Sequence, residues 1–441
     1  MNSTSCYEYI EVTHCMLKLQ RRKRVDSMLG KLLWTYFILL IFEGSIRKWI
    51  VPSLSAPLLI VRDPISVCIV WESIRTHQWP KQWSVITGLL TVVFSLLLVI
   101  QIVWWNNVWI AGLYGMRSYL LPFPVAFALG EYMDMEDVKK IARYTMYIMV
   151  VMVFIYTIQY RSSSGSAWNA GAYEGATQIM YAGDHVRASG TFSYNVGATY
   201  FSLLGFSFIL YGIINRDFVS RWLLMAALFS LVVSVPLVGA RTLVYLLAVE
   251  AMCAIVCYVV CIGNFTKSIR YIIPVIALTV SASFLPVFSD ATNSLAQRFV
   301  SAGASEGNTK NVLTERSMQP FVDAVTSLKS LSDPLGVGMG RGAAAVTALL
   351  EGKASFVAGE SEIFRNIIEL GPYIGILYAL YRVLLAIYLL ALSIQKAKNE
   401  DALALLLAPL MVITTVWGVM EMPTFQGFMV LSIALTLASL K

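Results

Sequence analysis

Runs of about 20 mostly apolar residues recur along this chain, and each is long enough for a helix to cross the hydrocarbon core of a bilayer. They fall at approximately 30–50, 56–72, 84–105, 107–130, 141–159, 192–214, 221–238, 241–262, 270–288, 366–394, 402–420 and 424–440. The second is the weakest, because Arg62, Asp63 and Pro64 interrupt it. One buried core cannot absorb this much apolar surface. Of the 441 residues 58% are hydrophobic and only 13% charged, whereas soluble domains carry about 25% charge. A soluble enzyme, a nucleic-acid-binding domain and a disordered scaffold are thereby excluded. The net charge of +7 is scattered between apolar runs, so it does not argue for nucleic acid. The expected fold is an all-α polytopic membrane protein of about 12 transmembrane helices.

Basic residues orient these runs. Arg21, Arg22, Lys23 and Arg24 precede the first, which argues for a cytoplasmic N-terminal segment over 1–29. The first run starts too late for a cleavable signal and lacks a small-residue cleavage site, so it should act as a signal anchor. Alternation then puts Arg75 and Lys81, Lys139, Lys140 and Arg143, Arg216 and Arg221, Lys267 and Arg270, Lys396 and Lys398, and Lys441 inside. Arg47 and Lys48, at the outer end of the first run, are the main exception. The expected organisation is helices 1–9 over 30–288, a large outer (periplasmic or extracellular) loop with short helices over 289–365, between spans 9 and 10, and helices 10–12 over 366–441. A second outer segment covers about 160–191. Segment 131–143 reads as a short amphipathic helix at the inner surface, and no internal repeat is visible.

Six scattered cysteines do not make a disulfide framework, and three histidines leave little room for a metal centre. No metal or cofactor is expected. Cys253, Cys257 and Cys261 share one apolar helix face and read as packing thiols. The outer side instead collects arginines that orientation does not explain: Arg187, Arg241, Arg298, Arg316, Arg341 and Arg365. Charge at membrane depth usually faces a cavity or a partner. A guanidinium stays charged and grips phosphate oxygens in a bidentate fork, so several together can hold a pyrophosphate. For Arg298 the plainer reading is ordinary loop charge. Glu360 and Glu362, at the outer mouth of the tenth run, are candidate bases; the alternative is two carboxylates favoured by a helix N-terminus. Arg117, about ten residues into the fourth run, either pairs with Glu250 or reaches the outer cavity. Glu369 is read as orienting its helix. DPLGVGMGRG at 333–342 is either a phosphate cradle or, preferably, a glycine-permitted turn.

In order, these motifs resemble the bacterial O-antigen polymerase and O-antigen ligase-like membrane glycosyltransferase family. RASGTFSYNVGATYF at 187–201, VGARTLVYLL at 238–247, Glu315–Arg316 followed by DPLGVGMG at 333–340, and ESEIFRNIIELGPYIGIL at 360–377 carry the likeness, which covers roughly 180–380. EGSIRKWIVP at 43–52 is similar to a feature of one branch of these proteins. The resemblance implies a bacterial inner-membrane enzyme, active at the periplasmic face, that uses sugars carried on undecaprenyl pyrophosphate. Arg187, Arg241 and Arg316 match the family's donor-binding arginines, with Arg117 and Arg341 as further candidates. Ligases of the family carry a His-Asn pair nine residues before Glu369, where this chain has Glu360 and Ser361. That departure favours the polymerase branch, with Glu360 or Glu362 as base.

The expected activity is therefore a metal-independent, inverting polysaccharide polymerase. It would move a lipid-pyrophosphate-linked oligosaccharide onto the hydroxyl of an acceptor glycan. The partners implied are that lipid-linked donor, the acceptor glycan and the bilayer, with a flippase and a chain-length regulator alongside, and no nucleic acid. The competing readings are a ligase that transfers a whole glycan to a lipid or protein, and a transporter or flippase of lipid-linked sugars.

Overall fold

A computed structural model of the chain describes residues 27–262, apart from 56, 105–107, 172–177 and 179–184, together with 334–343, 346, 362–399 and 401–441, and the isolated positions 293 and 322. Among the described residues every regular segment is helical. The α-helices are α1 (Met28–Ser45), α2 (Arg62–Arg75), α3 (Ser84–Trp104), α4 (Trp109–Leu120), α5 (Pro122–Tyr132), α6 (Met135–Arg161), α7 (Asn195–Ile214), α8 (Arg221–Val238), α9 (Arg241–Ile262), α10 (Glu362–Leu370), α11 (Pro372–Asn399), α12 (Leu403–Trp417) and α13 (Pro423–Ser439).

Six helical stretches among them are long and apolar enough to cross a membrane: 28–50, 81–104, 135–161, 195–214, 221–238 and 372–398. This is the construction of a membrane protein. In hydrocarbon every backbone N–H and C=O must be satisfied within the segment, which a helix achieves. The α3 helix shows the consequence at its surface. It buries only the stripe Phe94, Leu97 and Gln101 and leaves Val85, Leu89, Val92, Leu96 and Val103 exposed. Helix α7 is the opposite, buried nearly all round at the centre of the bundle. It packs on α8, α9 and α12, while α13 lies along α5 and α12. Gly130 makes the α5–α13 contact close, since a Cβ there would stand 2.7 Å from the Leu437 side chain.

Several helices depart from the apolar runs for local reasons. The fourth run is broken at Leu121, because Pro122 and Pro124 offer no N–H to the preceding turn. The tenth is broken at Gly371, whose φ of +81° ends α10 in the left-handed region, and Pro372 starts α11. The second run yields only the 14 residues of α2. Segment 131–143 is not a separate amphipathic helix. Asp134 and Asp137 form a capping box, and α6 runs unbroken from there to Arg161. The run at 270–288 and most of 289–365 lie outside the described residues.

Candidate functional site

Contacts sort the bundle into two ends. At one end Ser27 meets Tyr132, Tyr211 meets Asp401, and Lys441 donates to the carbonyls of Glu131 and Met133. The other end gathers the close of α1, the starts of α2, α4, α7, α9 and α10, and the α12–α13 connection. The arginines singled out from sequence that are described collect here, on two turns, one buried ion network and one groove.

The first turn carries Arg187. Lys48, just past α1, donates to Ser189 Oγ at 3.1 Å, Gly190 O at 2.6 Å and Phe192 O at 2.7 Å. Gln159 of α6 accepts from the amides of Ser189 at 3.0 Å and Gly190 at 2.8 Å. Arg47 reaches Ser193 Oγ at 3.1 Å, and Thr191 Oγ1 donates to Ile41 O at 2.7 Å. Gly44 lets the two segments touch, since a Cβ there would lie 2.4 Å from Ser193 N. Arg47 and Lys48 broke the charge pattern of the sequence because they are buried and hold this turn. The Ala188 amide donates to Leu237 O at 3.2 Å, which lays the Arg187 segment beside the end of α8, four residues before Arg241.

The second turn carries Arg341. Glu369 of α10, fully buried, accepts from the amides of Gly340 at 2.8 Å and Gly342 at 2.9 Å and from Tyr119 Oη at 2.7 Å. Gln101 of α3 accepts from Met339 N at 2.8 Å and donates to Leu335 O at 2.7 Å and Glu369 O at 2.9 Å. The glycines at 336, 338 and 340 have φ of +72°, +120° and +78°. The glycine-permitted turn is what the structure contains, and two of its amides are occupied by the protein's own carboxylate.

The ion network adjoins the second turn through Tyr119, which donates to Glu369 and lies under Arg365. Glu362 is met by Arg365 at 3.0 Å and by Arg382 at 3.1 Å, and is itself 3% exposed. Arg365 also reaches Glu421 at 3.3 Å and lies over the Tyr119 ring at 5.4 Å. Arg382 donates to the carbonyls of Thr415 and Gly418, both at 2.7 Å. Nearby, Arg62 pairs with Glu43 at 2.9 Å, and Arg47 lies 3.5 Å from the same carboxylate. Such buried charges are tolerable only when paired and hydrogen-bonded.

These placements revise three expectations. Glu362, a candidate base from sequence, is clamped by two guanidiniums. Arg117 does not pair with Glu250. It bonds Asp63 and stacks on Tyr114 at 4.8 Å, while Glu250 accepts a hydrogen bond from Ser207. Glu369 organises a turn as well as belonging to its helix. Glu360, Arg298 and Arg316 lie outside the described residues. Gln101, Gln159, Glu43 and Glu421 were not singled out from sequence, and Lys48 and Arg62 stood out only as an exception to the charge pattern and as an interruption of the second run. The two glutamines carried a usable signal, being amides within apolar runs.

The groove lies between α7, α9, α11 and α12 and has a volume of about 570 Å³. Its wall is apolar (Leu246, Val249, Leu405 and Val412 among others), with Tyr200, Thr242 and Tyr245 as neutral polar members and Arg241 as its charged residue. Trp417 closes the Arg241 end, next to the Gly418 carbonyl that Arg382 holds. Cys253 lines the far part as a half-buried thiol. The chain matches no protein-family model, and no curated protein matches it.

Proposed function

We propose that the protein is a polysaccharide polymerase of the O-antigen polymerase type, a twelve-span protein of the bacterial inner membrane. It acts on lipid-pyrophosphate-linked oligosaccharide at the periplasmic face. The observation that carries this reading is Arg241 at one end of an apolar groove within a helical bundle. A long isoprenoid tail needs an apolar channel open to a bilayer, and its pyrophosphate needs guanidinium at the channel's mouth. The neighbouring Arg187 segment supplies a second guanidinium, and Arg341, on the pinned glycine turn, is a further candidate. Arg316 belongs to the same set through the resemblance.

In the proposed reaction an acceptor hydroxyl attacks the anomeric carbon of the donor glycan from the face opposite the pyrophosphate. The hydroxyl proton passes to Glu360, the C–O bond to pyrophosphate breaks, and the lipid pyrophosphate leaves. Arginines fixed in advance stabilise the charge that grows on the leaving group, an effect worth roughly 2.7–4 kcal/mol per well-placed donor. The Lys48 and Glu369 anchors fix the turns that carry Arg187 and Arg341.

The test is incubation of the purified protein with a defined lipid-pyrophosphate oligosaccharide and sizing of the products by mass spectrometry. A ladder of repeat units is expected. A single large transfer product would identify a ligase, and movement of the lipid without a new glycosidic bond a transporter.

A further inference from the structure

On the flank of the bundle, from the Ser27–Tyr132 end toward the middle, α1 and α6 leave a groove of about 610 Å³, lined by Trp34, Phe37, Ile38 and Phe42 on one side and Lys140, Tyr144 and Ile148 on the other. Its size is within the roughly 300–1,000 Å³ range of ligand sites. We propose that it is a binding site for one anionic glycerophospholipid, independent of the groove at Arg241.

The residue spacing builds the site. Positions 34, 38 and 42 follow one face of α1, and 140, 144 and 148 follow one face of α6. The α6 stripe begins with a lysine in the lining, and on α1 a lysine stands just outside it. Lys31 is exposed and lies one turn before Trp34, and Lys140 opens the stripe on α6. Both lysines belong to the same end of the bundle, because Ser27 meets Tyr132 there at 2.9 Å. Next come the aromatic rings of Trp34 and Tyr144, in edge contact at 5.3 Å. Aromatic rings of this kind sit at headgroup level in a bilayer. Beyond them Ile38, Phe42 and Ile148 offer an apolar path for an acyl chain.

The charge around the site selects the headgroup. Asp137 lies 3.6 Å from Lys140, and its carboxylate is also engaged by the Asp134 amide in the capping box. Glu136 is taken up by Lys139 at 3.6 Å. An ammonium has three donors, so Lys140 keeps capacity for a phosphate oxygen beside Asp137. Arg143 adds a further cation one turn along α6. A choline headgroup would bring a third cation against Lys31 and Lys140, whereas a glycerol headgroup would not.

The test uses the full chain in detergent, loaded with phosphatidylglycerol or phosphatidylcholine of identical acyl chains, with retained lipid counted by native mass spectrometry. Phosphatidylglycerol should be retained preferentially. A lysine near an anionic surface is worth about fivefold in binding, so Lys31→Gln should lower the preference by about that factor and Lys31→Gln/Lys140→Gln should abolish it. Ile148→Trp, which fills the groove and leaves its charge intact, should reduce retention of the bound lipid. Equal retention of the two lipids by the unaltered protein would overturn the site. So would an unchanged preference in Lys31→Gln and the double variant, or full retention in Ile148→Trp.

Discussion

The Glu369 carboxylate accepts the Gly340 amide at 2.8 Å across a gap of 29 residues, and this bond ties the glycine turn to the helix that follows it. With the Gly342 amide and the Tyr119 hydroxyl it makes three bonds to one buried anion. Glu369→Ala leaves three buried donors without an acceptor, at about 1–3 kcal/mol each. Glu369→Gln retains one acceptor oxygen and should lose less. Thermal unfolding in detergent ranks the two variants. Hydrogen exchange should accelerate at Gly340 and Gly342 in Glu369→Ala.

Glycine substitutions should divide by backbone geometry. At Gly340 φ is +78° and a Cβ would stand 2.0 Å from Ala111 O, and at Gly371 φ is +81° and a Cβ would stand 2.3 Å from Pro334 O. Alanine at either site should cost well over 1 kcal/mol. At Gly88, inside α3, a Cβ would meet nothing within 4 Å. Gly88→Ala should be neutral or stabilising by up to about 1 kcal/mol. Folded yield and melting temperature of the three variants check the contrast.

Lys48→Met should destabilise the protein by at least about 2 kcal/mol, because the carbonyls of Gly190 and Phe192 lose a charged donor in a buried place. Lys81→Met, at an exposed position, should lie within about 0.5 kcal/mol of the unaltered protein. The comparison is again read from unfolding, and limited proteolysis between 187 and 193 should rise only in Lys48→Met.

Glu362 is shared by two buried guanidiniums, so its removal deprives both Arg365 and Arg382, whereas removal of Arg382 leaves Glu362 paired with Arg365. Glu362→Gln should cost about 3–5 kcal/mol, and Arg382→Met should cost less, because Glu362 keeps Arg365. The double variant should cost clearly less than the sum, which a double-mutant cycle measures.

Helix positions were largely readable because hydropathy and length alone decide what a bilayer accepts. The runs at 221–238 and 241–262 coincide with α8 and α9. The breaks at Pro122 and Gly371 were present as Pro and Gly but sat inside runs whose total hydropathy hid them. The partnerships were not readable. Arg62 finds Glu43 across 19 residues and Arg117 finds Asp63 across 54, and no spacing rule links such distances. Arg47 and Lys48 stood out as exceptions to the charge pattern, but their partners at 189–193 are mostly backbone carbonyls and hydroxyls, which leave no mark in composition. Of the candidate site, Arg241 was legible as a charge at a span mouth, whereas its groove exists only once four helices have packed.

Arg241 is proposed to hold a lipid pyrophosphate at the end of the groove. This is tested most directly by comparing the unaltered protein with Arg241→Lys on a defined lipid-pyrophosphate oligosaccharide, following both glycan ladder and released lipid pyrophosphate. A lysine keeps the charge but loses the bidentate fork. Arg241→Lys should lose most ladder formation, by about 100-fold or more for a donor of this kind, with the melting temperature unchanged. A near-normal ladder from Arg241→Lys, or no glycosidic bond formed by the unaltered protein, would contradict it.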